Sequence, residues 1–305
     1  MKASKTYNIT PSLRLLDLSP PIAGHEKFIG AYLFCGERNA IVDTGPKTAI
    51  PNLISTLAEL SINPAEIDYF ILTHIHIDHA GGVGTALKRM NRAKVVAHSR
   101  AQSHLIDPTL LWKSSLKTLG ELAIEYGDIE PVPEDRILVA RDSMKLDLGR
   151  DLKLELYITP GHAPHHLSLF DRANGVLIAG EAAGVCVDGI IRLATPPPFR
   201  LEETLSSINR LIALKPEKIC YGHFGCYDNA VEKLTVFKQR LLAWYGTVTS
   251  AAEAKKNSED ILVALRETDR SLDYLNKLGE AEYSRELASL ISSIEGLSGA
   301  VRKSK

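Results

Sequence analysis

The chain has 305 residues, 45% of them hydrophobic and 24% charged, enough to bury the core of one large domain, or of one domain with a smaller appendage. Its 36 basic and 37 acidic side chains leave a formal net charge of −1, so the whole chain offers no electrostatic reason to bind nucleic acid or an anionic membrane. No apolar run approaches the about 20 residues of a spanning helix, and the opening MKASKTYNITPSLRLLDLSPP lacks the apolar segment of a secretory signal, so a cytoplasmic protein is expected.

AYLFCG and NAIVDTG read as two strands joined by the turn GERN, whose Gly and Asn mark a hairpin. Over residues 47–60, Ile50, Leu53, Ile54, Leu57 and Leu60 recur at helical spacing. IDYFILTH follows as a buried strand that runs directly into THIHIDHAGG. AKVVAH is the next strand, and residues 109–126 read as a helix whose Trp112 is expected to pack in the core rather than reach the site entrance. LKLELYITPGH, HLSLFD and GVLIAGE are three further strands. LEETLSSINRLIAL is a helix stopped by Lys215-Pro216, and KICYGHFG is the last strand with its loop. Strands that carry His or Glu at their C-terminal ends recur along the chain, which is its organising pattern.

Beyond Pro216 there is no proline, and the composition turns to Leu, Ala, Glu, Lys and Ser. Leu234, Phe237, Leu241 and Trp244 share one helix face, as do Tyr283, Leu287, Leu290, Ile291 and Ile294. Residues 1–228 are therefore expected to form the main domain and 229–305 a helical extension. The apolar faces of the extension need a partner, either the main domain or a second copy of the chain, and a homodimer is expected on that ground. The final RKSK reads as a frayed end. Four cysteines, Cys35, Cys186, Cys220 and Cys226, stand without a CxxC pair, which argues against a disulfide framework and a thiolate zinc site. They are expected to be mostly buried, reduced thiols.

The HxHxDH pattern of His74, His76, Asp78 and His79 is rare by chance. After a strand, alternate residues share a face, so His74 and His76 can hold one metal ion. Asp78 and His79 fall where the chain turns toward a helix and can hold a second, with Gly81 and Gly82 letting the backbone crowd the site. Imidazole and carboxylate without thiolate suit an open, catalytic site for zinc, iron, manganese, nickel or cobalt rather than a closed structural zinc. Two metals need about six to eight protein donors. Further candidates stand in the same strand-then-loop setting: His162 in TPGHAPHH, Glu181 in AGEAAG and His223 in YGHFG.

These segments, THIHIDHAGG, TPGHAPHHLSL, AGE and YGHFG, with NAIVDTGP around Asp43, resemble in content and order the metallo-β-lactamase superfamily of dinuclear metallohydrolases. The resemblance spans roughly residues 10–225 and implies an α/β fold, the αββα sandwich, with the site at one edge and a C-terminal helical extension. It implies that His74, His76 and His162 bind the first metal, that Asp78, His79 and His223 bind the second, and that Glu181 bridges both. Two divalent ions, zinc first among them, are the expected cofactors. The family's bridging position is usually Asp. Here it is Glu181, whose extra methylene lengthens the arm, and the only nearby aspartate is Asp188.

Two cations about 3.5–4 Å apart can lower the pKa of a shared water to about 7. The expected chemistry is attack of that hydroxide on a carbonyl carbon or a phosphorus, with Asp78 binding metal and orienting the nucleophile. A broad-specificity hydrolase of small-molecule phosphoesters, carboxylic esters or lactones is the leading expectation. His166 aligns with a second histidine of several relatives and is a candidate to touch substrate. Pro196, Pro197, Pro198 and Phe199 are candidates for an apolar rim. TPGHAPHHLSL also resembles glyoxalase-II-like thioesterases and acyl-homoserine-lactone lactonases, although the lactonases' tyrosine after the bridging carboxylate is missing from EAAG. An RNA nuclease is a further alternative, against which the tail's basic residues Lys233, Lys238, Arg240, Lys255 and Lys256 are interleaved with acids. A mono-iron persulfide-dioxygenase-like oxidoreductase is the last; His76 argues against the flavodiiron group, which has Glu there.

Overall fold

The structure is a computed structural model and describes residues 6–303. The first five positions of the segment read for a signal, and Ser304 and Lys305 of the RKSK end, lie outside the described residues. Arg302 and Lys303 continue the last helix.

Seven strands form the first sheet in chain order: β1 (Thr6–Thr10), β2 (Leu13–Asp17), β3 (Gly30–Phe34), β4 (Asn39–Val42), β5 (Ile67–Ile71), β6 (Lys94–His98) and β7 (Ile137–Ala140). The first four pair antiparallel and the last four parallel. Parallel neighbours need crossovers, and the helices supply them. α1 (Ile50–Glu59) links β4 to β5, α2 (Ile77–Ala80) and α3 (Val83–Leu87) link β5 to β6, and α4 (Gln102–Ile106), α5 (Thr109–Leu119) and α6 (Glu121–Tyr126) link β6 to β7.

The second sheet comprises β8 (Met144–Asp147), β9 (Lys153–Ile158), β10 (Leu167–Asp171) and β11 (Val176–Gly180), joined after a separate ribbon of β12 (Val185–Val187) and β13 (Ile190–Arg192) and helix α7 (Leu201–Ala213) by β14 (Lys218–Tyr221) and β15 (Cys226–Asp228). Its order is β15-β14-β11-β10-β9-β8, with β11 and β14 parallel. α8 (Ala230–Glu253), α9 (Ser258–Thr268), a 3₁₀ segment Arg270–Lys277 and α10 (Glu280–Lys303) follow.

Alternation along the strands sorts side chains into layers. Val42, Ile71 and Val96 point from the first sheet onto Leu156, Leu169 and Ile178 of the second. Their neighbours Ile41, Phe70 and Val95 point the other way, onto Leu53 and Leu57 of α1 and Val83 of α3. On the far side Tyr157, Phe170, Leu177 and Ile219 meet Ile208 and Leu211 of α7, Leu234, Phe237, Leu241 and Trp244 of α8, and Leu290 and Ile294 of α10. Helix, sheet, sheet and helix thus stack as an αββα sandwich. The apolar faces read in the tail lie against the second sheet in one core with it.

Three sequence expectations change. The helix over 109–126 is broken at Gly120, whose φ of +57° takes it out of helical geometry. KICYGHFG is not the end of the sheet, because β15 turns back onto β14. The short strands β1, β2, β7, β8, β12 and β13 carried too few alternating apolar residues to stand out. Trp112 is half-buried and packs with Ile77 and Tyr126 beneath α2. Among the described residues no helix is long and apolar enough to cross a membrane.

Leu241 is fully buried between sheet and tail, so Leu241→Ala should cost about 2–5 kcal/mol in denaturant unfolding. Glu155 on β9 is held at about 2, first by the hydrogen-bonded Arg172 guanidinium, against burial and helped by Tyr157. A depressed carboxylate contributes stability above its unfolded pKa and loses it as pH falls toward the folded value. The stability gap between wild type and Glu155→Gln should therefore be constant above about pH 5 and close progressively toward pH 2, a modest gap because Arg172 is half exposed.

Candidate metal centre

The centre forms where the strands of both sheets end. β5 stops at Ile71, and its extension carries Thr73 and His74. His76, in extended conformation, is the N-cap of α2, and the single turn of α2 carries Asp78 and His79. Asp78 and His79 therefore belong to a helix of their own, ahead of α3. His162 follows β9, Glu181 follows β11 and His223 occupies the turn between β14 and β15. The strand-end histidine of β6, His98, is spent differently: its Nδ1 accepts the Arg100 N–H at 3.0 Å.

All seven predicted ligand residues come together in two sets, His74, His76, His162 and Glu181 in one, Asp78, His79 and His223 in the other, with each set's ligand atoms within 4.8 Å of one another. Glu181 spans both. Its Oε2 lies 3.2 Å from His74 Nε2, 3.0 Å from His162 Nε2 and 3.4 Å from His79 Nε2, and its Oε1 lies 3.3 Å from His223 Nε2. The longer Glu arm therefore reaches both sets from the end of β11.

Hydrogen bonds on the far side of each ring fix which nitrogen faces inward. His162 Nδ1 donates to the Ala194 carbonyl at 2.9 Å and His223 Nδ1 to the Phe28 carbonyl at 3.2 Å. His79 Nδ1 donates to Asp43 Oδ2 at 3.2 Å. Thr73 gives its hydroxyl proton to Asp43 Oδ2 at 2.8 Å, so its oxygen accepts from His74 Nδ1 at 3.0 Å. Four Nε2 lone pairs consequently converge on the centre, joined by Nδ1 of His76, which lies 3.0 Å from both His74 Nε2 and His162 Nε2. His79 Nε2 and His223 Nε2 face each other at 3.3 Å.

Lone pairs at these separations repel unless a proton or a cation sits between them. Burial first, then the neighbouring rings, hold His74 well below the ordinary imidazole range, and burial with His162 brings His76 to about 4. Those two rings carry no second proton at neutral pH. For His79 burial opposes the charge, but Asp78, Asp43 and Glu181 outweigh it and raise the pKa. Burial likewise opposes ionisation of Glu181, and His162 and His223 reverse it, holding the carboxylate well below its usual range. His162 is raised as well, its burial outweighed by Glu181 and the Ala194 carbonyl, so five nitrogens and two carboxylates surround a buried centre that draws positive charge, a proton or a divalent cation that displaces it. The residues fit two such ions, and His76 and Asp78 are the partly exposed donors that define the open side.

The substrate candidates land elsewhere. His166 is fully buried. Its Nε2 accepts the Glu181 N–H at 3.1 Å, and its Nδ1 donates to Thr159 Oγ1 at 2.9 Å, which passes its own proton to Ser168 and Ser168 to the Ala179 carbonyl. Both ring nitrogens are occupied, so His166 holds the backbone of Glu181 instead of meeting a substrate. Phe199 packs in the core with α7 and α8, because the chain must enter α7 there, and lines no rim.

Close backbone approach comes from other glycines than those expected. Gly82 packs on Ile50 of α1, whereas a Cβ at Gly222 would lie 2.7 Å from His79 Cε1 and one at Gly180, with φ +56°, 2.6 Å from His166 Nε2. His165 was not singled out from the sequence. Its Nδ1 accepts the Ile75 N–H at 3.4 Å, and its ring lies edge-on to His76 with centroids 6.1 Å apart. The adjacent His-His in TPGHAPHH was the available signal.

The family model described as Metallo-beta-lactamase superfamily matches residues 29–223. Metallo-beta-lactamase fold-containing protein ST1585 of Sulfurisphaera tokodaii is 32% identical over 199 residues, 64% of this chain and 72% of that protein. Its solved structure superposes with a TM-score of 0.72 at 24% identity, covering 94% of this chain and 98% of that one. The metallo-beta-lactamase family protein TTHA1429 of Thermus thermophilus also gives 0.72, at 22% identity over 97% of this chain and 95% of its own. The chain belongs to the metallo-β-lactamase superfamily, and its family and donor cluster together support a metal-dependent hydrolase.

Asp43 tests the arrangement without touching the ligands' inner faces. It orients His79 directly and His74 through Thr73, so Asp43→Ala should weaken divalent-metal affinity about 10–100-fold, read by chelator competition. Affinity equal to wild type would show that the rings are held by packing alone.

Proposed function

We propose that the protein hydrolyses ester bonds of small molecules, phosphodiesters and phosphotriesters or carboxylic esters and lactones, with broad specificity and with zinc as the first candidate for its two ions. The observation that carries this reading is the span of Glu181 across two donor sets, each with partners of its own on the far side. When bound, a pair of divalent cations supplies a hydroxide from water at neutral pH and polarises the substrate oxygen.

The protein's residues do the rest. Asp43, Thr73, Ala194 and Phe28 keep ring protons pointing outward, so the inner nitrogens stay available as ligands. His166 fixes the backbone from which Glu181 reaches across. The Asp78 side chain is 19% exposed, against 0% and 7% for its set partners His79 and His223. Asp78 therefore stands where solvent and substrate enter, and its carboxylate is the group positioned to accept a hydrogen bond from the attacking water.

Several observations bear on the alternatives. In the tail, Arg240 pairs with Asp269 at 3.3 Å, Lys238 bonds Asn209 at 2.7 Å and Lys233 lies over the Tyr227 ring. Cations so engaged do not offer the free row that tracking a phosphate backbone requires. Two donor sets likewise favour two ions over the single iron of a persulfide-dioxygenase-like reading.

After reconstitution, metal analysis should give two ions per chain, and a panel of p-nitrophenyl phosphodiesters, phosphotriesters, carboxylic esters, lactones and glutathione thioesters should show turnover on the first four classes. His76→Ala and Glu181→Ala should each lose metal and at least about 100-fold in activity. Undiminished turnover after exhaustive chelation would refute the reading, and turnover confined to glutathione thioesters would replace it with the thioesterase alternative.

A further inference from the structure

The hairpin of β14 and β15 that presents His223 also carries two of the four cysteines. They stand directly opposite each other, Cys220 on β14 and Cys226 on β15. The Tyr221 N–H donates to the Gly225 carbonyl at 3.0 Å, which makes 221 and 225 the hydrogen-bonded pair and the cysteines the next, non-hydrogen-bonded pair. Opposed residues at such positions have Cα atoms about 4.5 Å apart, within the range of about 4.4–6.8 Å that a disulfide spans. The Tyr32 hydroxyl faces both the Tyr221 and Gly225 carbonyls at 2.6 and 2.9 Å, pinning the register.

The two thiols differ in access. Cys220 is fully buried between the sheets. Cys226 is partly exposed and lines a cavity of about 330 Å³ with Tyr7, Lys27, Lys218, Phe224 and Asp228. We propose that Cys226 and Cys220 form a peroxide-sensitive dithiol, with Cys226 the attacking thiol reached through this cavity and Cys220 the resolving thiol behind it.

The chemistry balances with a hydroperoxide as oxidant. The Cys226 sulfur gives up its proton and attacks one peroxide oxygen, forming S–O and breaking O–O, the hydrogen on that oxygen staying as the sulfenic O–H and the departing hydroxide or alkoxide taking up the thiol's proton. The Cys220 sulfur then attacks the sulfenic sulfur, forming S–S and breaking S–O, and the released hydroxide leaves as water with the Cys220 proton. Two thiols lose two electrons, and the peroxide gains them. The asymmetry of the pair supports these roles: the hydrogen bond from the Cys220 thiol, foremost, and nearby Lys218 hold Cys226 below the ordinary thiol range, whereas burial raises Cys220 well above it. Neither cysteine adjoins His223 in sequence, and the proposal does not depend on the hydrolase reading.

The test uses the full chain as purified, its metal retained, treated with hydrogen peroxide. Two thiols should disappear per chain, the tryptic peptide 219–233 should become lighter by two hydrogens, and dithiothreitol should reverse both. Cys226 should react about tenfold faster than Cys35. Cys220→Ser should stop at a sulfenic acid on Cys226 that dimedone traps, and Cys226→Ser should leave residue 220 reduced. Oxidation mapping first to Cys35 or Cys186, a disulfide-linked dimer, or an unchanged 219–233 peptide in wild type would each overturn the proposal, and the wild-type peptide decides the matter even where a variant fails to fold.

Discussion

The structure turns on a set of imidazole lone pairs forced to face one another. Asp43 and Thr73 take the outer protons of His79 and His74, and the carbonyls of Ala194 and Phe28 take those of His162 and His223. Water would relieve the crowding in an open loop, but here the rings are buried. What remains is an electrostatic demand for positive charge at a defined place, and the strands of both sheets meet it by ending there. The αββα arrangement is, in this sense, a way of bringing five chain segments to one edge with their side chains held.

The order of strands makes this possible. A parallel strand must be left by a crossover, so the ends of β5 and β11 open into turns where backbone is free to bend and side chains can project. The antiparallel returns close the other side: the turn between β14 and β15 delivers His223, and the chain after the ribbon of β12 and β13 delivers the Ala194 carbonyl to His162. Positions that hold the ligands are thus drawn from elements far apart in sequence, and that distance sets what could be read in advance.

Ligand residues were legible because their chemistry is written locally. HxHxDH fixes four groups within six positions, and His162, Glu181 and His223 each follow an apolar strand and adjoin glycine or small residues. Their supports were not, because a carbonyl carries no signature in sequence: nothing at Ala194 or Phe28 announces an acceptor. Asp43 stood out in its motif, yet its double use by Thr73 and His79 exists only in three dimensions. His166 was a substrate candidate through the resemblance, which aligns it with a second histidine of several relatives, while its hydrogen-bonded chain through Thr159 and Ser168 shows a residue consumed by the scaffold. Phe199 misled for the reverse reason, since a Pro-Pro-Pro-Phe run reads as surface and the entry to α7 folds it inward. Long, strongly patterned elements such as α1, α7, α8 and α10 were legible, and so were the strands β3, β4, β5, β6, β9, β10, β11 and β14, most of which lead into the site's loops, whereas the short β1, β2, β7, β8, β12, β13 and β15 were not.

One contact ties the end of the chain to its chemistry. Arg285 of α10 donates to the Gly24 carbonyl and lies over the Phe28 ring, and Phe28 packs on His223 with centroids 4.4 Å apart. On a ribosome, the histidines of the first motif emerge some two hundred positions before that arginine. A nascent chain therefore displays all of its ligands while the brace over His223 is still missing, and α10 acts as a late fastener.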